Sequence, residues 1–314
     1  MDAVGDIPHC NEFGKLDDNP DEPEKGLVIG VLYIAISSVG IAISCFVFYA
    51  FSRPELFKSP CYKLLVFTTT ADILNLMTAG LVAGFASIFQ ITVCEKRHHW
   101  FYLFQFWGLA LWYFYSIASM ILALNRALNF ARPKAAAALF GGWKPWLWLL
   151  SMVAYSVFGM LVSPTVEIYI PNRGVYIDGT KCLFHIYQNM VKISVVTVSY
   201  TVMFWHLRNL SRSTGSWSTD QIPSFGVAIL GDFCAVSYLA ASYIPEEWEM
   251  SEYAGMLGQL SWLALHLGTG LIYLLVNRSV HDAFAPFLKA SKYRLSTNRV
   301  SAIQPGHTIT QQNY

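Results

Sequence analysis

The chain has 314 residues, of which 54% are apolar and only 13% charged, with a formal net charge of +1. Soluble domains carry roughly 25% charged residues, so this composition and a mean hydropathy of +0.41 exclude the water-soluble class. A bilayer core takes roughly 20 apolar residues per helix, so seven spans use about 140 residues, leaving loops and tails but no second domain.

In chain order, residues 1–26 read as an extracellular, disordered tail with the acidic stretch Asp17-Asp18-Asn19-Pro20-Asp21-Glu22. A cleavable signal would be basic there and shorter than the apolar run that follows. Seven apolar runs are predicted as spans: Leu27 to Phe51, Leu64 to Phe89, Phe101 to Leu124, Trp146 to Val162, Ile186 to Trp205, Ile222 to Tyr243 and Met256 to Val276. They make 27–285 a single helical bundle, followed by a cytoplasmic tail, 286–314. All 13 prolines fall outside the span interiors, as they must where a proline would remove a backbone hydrogen bond. A β-barrel would instead show short segments of alternating polarity. The fold class is all-α membrane protein.

Lys and Arg concentrate on the cytoplasmic side of membrane proteins. With the N-terminus outside, the inner segments hold 14 basic and 3 acidic residues and the outer segments 6 and 15, which orients the chain N-out and C-in. Cys10, Cys94 and Cys182 then fall on the oxidising side, where disulfides persist. Three pairings are open to them. Cys94 with Cys182 is the expected one, because it ties the long outer loop to the bundle.

Ionisable groups within spans cost about 2.5–3.5 kcal/mol at the bilayer centre. There are three: Asp72, Lys192 and Asp232. Thr68, Asp72 and Asn75 share one face of the second span. Gln259, Trp262, His266, Thr269 and Tyr273 form a matching stripe on the seventh. The pair predicts a polar seam inside the bundle, holding water or a cation. Lys192 lies close enough to the outer end for its ammonium to snorkel to the surface. Arg126 closes the third span on the inner side, either as a positive-inside anchor or as a switch. Its face runs outward through Ser119, Tyr115, Trp112, Gly108 and Gln105. No GxxxxGK[ST], HExxH or GxSxG motif occurs, no metal site is expected, and the seventh span has no lysine for a retinal Schiff base.

Taken in order, Ser59-Pro60-Cys61-Tyr62-Lys63, Asp72-Ile73-Leu74, Cys94, Leu124-Asn125-Arg126, Trp143-Lys144-Pro145-Trp146-Leu147-Trp148, His266, Ile272-Tyr273-Leu274 and Asn277-Arg278 resemble the nematode serpentine chemoreceptors of class T (Srt), within the rhodopsin-like seven-helix G-protein-coupled receptors. The resemblance spans residues 50–285. It implies a non-enzymatic plasma-membrane receptor, suggests a sensory cilium as its location, and implies a small odorant-like ligand and a heterotrimeric G protein as partners, with no nucleic acid.

The resemblance also implies site roles. Asn125-Arg126 stands where such receptors carry an acidic-arginine switch, here without the adjacent acid, so Asp220 is the candidate restraint on Arg126. Tyr273 is the candidate seventh-span switch. Asp72, with Asn75, is the candidate sodium site. Ligand-binding candidates are Gln105, Trp112, Asn189, Trp262 and His266. The sixth span lacks the usual mid-helix proline, and Gly226 and Gly231 are its weak points. Two other classes also have seven spans. A ligand-gated cation channel subunit of the odorant-receptor type places its N-terminus inside, against the charge count. A seven-helix zinc hydrolase needs converging histidines, whereas His185, His206 and His266 lie at different depths.

Overall fold

The computed structural model describes residues 23–92, 100–163, 167–178, 183–214, 222–243 and 251–284. Seven long helices dominate them: α1 (Pro23–Phe51), α2 (Pro60–Ile88), α3 (Tyr102–Ala131), α4 (Lys144–Val162), α5 (Leu183–Thr214), α6 (Ile222–Tyr243) and α7 (Ser251–Val276). Six are long and apolar enough to cross a membrane among the described residues. The exception is α6, whose apolar stretch Phe225–Ser237 is shorter.

Several prolines that bracket the predicted loops turn out to start helices. Pro60 and Pro145 lie in the first turns of α2 and α4, and Pro54 and Pro133 open the short connecting helices Pro54–Phe57 and Pro133–Phe140. A fixed φ and a missing N–H cost nothing at that position.

Helix α1 packs on α2 and α7, α3 on α2, α4 and α5, and α6 on α5 and α7. Apolar side chains outside these contacts, such as Val28, Leu150, Leu161 and Leu275, are exposed, as a lipid-facing surface requires. Helix α2 is interrupted by a π-helical stretch, Met77–Val82. The carbonyl of Ala79 in this stretch accepts a hydrogen bond from Gln259 Nε2 of α7 at 2.7 Å. Between α4 and α5 the chain forms an antiparallel hairpin, β1 (Glu167–Ile170) with β2 (Val175–Asp178), pairing Tyr169 with Tyr176.

Helix α3 runs to Ala131, beyond the predicted end at Leu124. Arg126 therefore lies within a helix, with more than a turn still to follow, and does not close it. The helix outlasts the apolar run because Asn125, Arg126 and Asn129 are polar and fall outside a hydropathy maximum.

Candidate functional site

The polar stripes on α2 and α7 meet directly. Thr68, Asp72 and Asn75 are buried, as are Gln259, His266, Thr269 and Tyr273. Trp262 Nε1 donates to His266 Nε2 at 2.9 Å and is 3.2 Å from Asn75 Oδ1. An indole N–H can only donate, so Nε2 of His266 is the acceptor and its ring proton sits on Nδ1. That proton points at Asp72 Oδ1, 2.6 Å away. His266 and Asp72 are 0% and 1% exposed. The predicted seam is therefore present: imidazole, indole and carboxylate meet directly at His266, while Thr68, Asp72, Thr269 and Tyr273 also line a small cavity.

Toward the hairpin end of the bundle the seam continues into an aromatic cluster. The Tyr115 ring meets His266 edge-on at 4.7 Å, and Trp112 lies 5.8 Å from Trp262 and stacks on His185 at 6.3 Å. Tyr176 of the hairpin reaches Trp262 at 6.3 Å. Three contacts anchor this cover: Tyr33 of α1 donates to the Gly174 carbonyl at 2.7 Å, Ser87 of α2 is 2.6 Å from the Tyr169 hydroxyl, and it also donates to the Pro171 carbonyl at 3.0 Å. Burial pushes the pKa of the Tyr169 phenol upward, so its hydroxyl stays protonated in this pair.

Of the five ligand-binding candidates, Trp112, Trp262 and His266 thus form one cluster. Gln105 is buried two turns further along α3, on the same face. Asn189 is buried on α5, with its Oδ1 accepting from Gln188 Nε2 at 2.9 Å. His185 and the hairpin tyrosines belong to the cluster as well. The spacing of His185, Asn189 and Lys192 along α5 carries the signal for the first. Nothing local carries it for the tyrosines.

Lys192 does not snorkel. It is 1% exposed, with Nζ 4.3 Å from the Trp112 ring centroid and 5.2 Å from that of Tyr115. Two aromatic faces and a neighbouring carboxylate offer the ammonium a closer partner than the membrane surface does. Together with Asp72, Asp232, Thr68, Ser119 and Thr269 it lines a cavity of about 30 Å³, room for one or two water molecules. Asp232 Oδ2 accepts from Thr197 Oγ1 at 2.8 Å.

A sodium ion at Asp72 does not fit this arrangement. One oxygen of the carboxylate is taken up by His266, and the remaining space is shared with Lys192, whose positive charge is what opposes a second cation. At an effective dielectric constant near 20, two like unit charges about 4 Å apart repel by about 4 kcal/mol, so a second cation in this space is opposed.

At the opposite end of the bundle, Arg126 is 7% exposed. Tyr62 and Cys61 of α2, Tyr200 of α5 and Tyr273 of α7 lie within electrostatic reach of its guanidinium. Tyr62 in turn pairs with Ser279 Oγ at 2.6 Å, and Tyr273 packs edge-on against Phe51 at 5.3 Å. Asn125 is buried and accepts from Asn129 Nδ2 at 3.2 Å. Asp220 lies outside the described residues, as do Cys10, Cys94 and Cys182. Among the described residues, Cys45, Cys61 and Cys234 are free thiols.

No curated protein sequence is significantly similar to the chain. In fold it is similar to the crystal structure of squid rhodopsin, with a TM-score of 0.63 at 11% sequence identity, covering 86% of this chain and 87% of that one. The model of the family described as serpentine type 7TM GPCR chemoreceptor Srt matches residues 9–297. The chain is a multi-pass membrane protein and belongs to the Srt family of seven-transmembrane G-protein-coupled chemoreceptors.

Proposed function

We propose that the protein is a plasma-membrane chemosensory receptor that takes a small odorant-like molecule at the aromatic cluster beneath the hairpin and signals to a heterotrimeric G protein at the opposite end. The observation that carries this reading is continuity. The cluster of Trp112, Trp262 and Tyr176 passes through the Asp72–His266 contact to a cavity that Tyr200 and Tyr273 also line, and those two tyrosines flank Arg126. A ligand touching Trp112 or Trp262 therefore acts on a contiguous set of buried contacts. It shifts the bundle between two states only through its different affinity for them.

The charge distribution along the chain supports an extracellular hairpin end and a cytoplasmic Arg126 end. Family membership displaces the channel-subunit and zinc-hydrolase readings. A sensory cilium is the location that fits a chemosensory role. The test is expression with a promiscuous G protein and an odorant panel. A responding wild type whose Arg126→Ala variant reaches the cell surface but no longer signals supports the reading; normal signalling by that variant defeats the switch assignment.

A further inference from the structure

We infer that Lys192 is a built-in cation for the cavity between α2, α3, α5, α6 and α7, and that the protein consequently has no use for a sodium ion there. The cavity walls carry Asp72, Asp232 and Lys192. Each carboxylate has its own positive or proton-donating partner. Asp72 accepts from His266. Asp232 is held through one oxygen by Thr197 and interacts electrostatically with Lys192.

Neither Lys192 Nζ nor Asp232 Oδ1 has a direct hydrogen-bond partner among the described residues. Both belong to residues lining a space that holds one or two waters. Water bridging the ammonium to that carboxylate oxygen completes both groups, since a water-mediated contact is nearly as favourable as a direct one. The two aromatic faces of Trp112 and Tyr115 hold the ammonium from the other side.

A tethered cation differs from a diffusible one in that it never leaves. The connection between α5, α6 and the α2–α7 seam is then independent of the sodium concentration. Deleting the ammonium leaves two carboxylates around a water-sized space whose remaining polar walls include the hydroxyls of Thr68, Ser119 and Thr269. Such an all-oxygen set suits a hard cation. Lys192→Met should therefore create the sodium dependence that the wild type lacks.

The experiment is thermal unfolding of the purified full-length protein in detergent micelles, in sodium chloride and in choline chloride at about 0.15 M. It needs no ligand and no G protein, so its outcome is separate from that of the receptor assay. The expected result is a wild-type midpoint that agrees in the two salts to within about 1 °C. Lys192→Met should melt lower in choline and be raised several degrees by sodium, and Lys192→Arg, which keeps the charge, should stay insensitive. A wild type selectively stabilised by sodium overturns the proposal, as does a folded Lys192→Met protein indifferent to it. Should Lys192→Met fail to accumulate, the wild-type comparison decides alone.

Discussion

His266 Nδ1 donates to Asp72 Oδ1 across 2.6 Å, joining two helices through residues 194 positions apart in the chain. Because Trp262 occupies the other ring nitrogen, the imidazole cannot turn over without losing both bonds. This contact holds α2 and α7 in register midway along the bundle.

The contact should behave as an energetic unit. His266→Ala leaves the Asp72 carboxyl buried without its donor, at a cost of about 1–3 kcal/mol. Asp72→Asn made alone should also destabilise, and the double variant should lose less than the sum, with a coupling between about 0.5 and 3 kcal/mol. Thermal unfolding of the four proteins in micelles measures it. Additive losses would show that the two groups are not joined in this way.

The crossing of α1 and α2 should be sensitive to a single methyl group. A Cβ at Gly80, in the π-helical stretch, would lie 1.4 Å from Ser37 Oγ and 2.5 Å from its Cβ. Gly80→Ala should destabilise by about 1–3 kcal/mol through overpacking, and adding Ser37→Gly should recover most of the loss, because it removes both clashing atoms. Melting temperatures of the single and double variants check this. Failure of the rescue would mean that the Ser37 side chain does not set the approach and that Leu263 Cδ2, 3.2 Å from the same Cβ, is the next contact to relieve.

The hairpin should loosen independently of the bundle. Gly174 has φ +64, and a Cβ there would meet Ile29 Cγ2 at 2.4 Å, so Gly174→Ala is strained in both backbone and packing. Tyr33→Phe removes the bond that anchors the same turn. Both variants should speed hydrogen exchange at the β1 and β2 amides while costing Tyr33→Phe only about 1 kcal/mol overall. Unchanged exchange in the hairpin would refute its dependence on α1.

Orientation should be visible without a ligand. An epitope tag added at the N-terminus should be accessible on unpermeabilised cells and a C-terminal tag should not, following the 14 to 6 distribution of basic residues. Accessibility of the C-terminal tag alone would reverse the topology.

Much of the site is readable along the chain because its causes are local. The spacing of Thr68, Asp72 and Asn75, and of Gln259, Trp262, His266 and Tyr273, puts each set on one helical face. Polar groups in a membrane segment must then turn inward. What this periodicity leaves open is the partner. Only the relative depth and rotation of α2 and α7 bring His266 to Asp72 and leave the small cavity beside them. Lys192 shows the same limit: its distance from the helix end suggests the surface, but Trp112 and Tyr115, supplied by another helix, keep it inside.

Composition, hydropathy and charge asymmetry by themselves determined that this is a helical membrane bundle and which faces are polar, since length, period and charge are properties of consecutive residues. The tertiary structure alone decided that Trp112, Trp262 and Tyr176 share one cluster under a hairpin, that Arg126 lies among tyrosines from three helices, and that Lys192 turns inward to line the cavity beside Trp112 and Tyr115. Those facts depend on how helices distant in the chain are rotated and set in depth against one another, which no local pattern encodes.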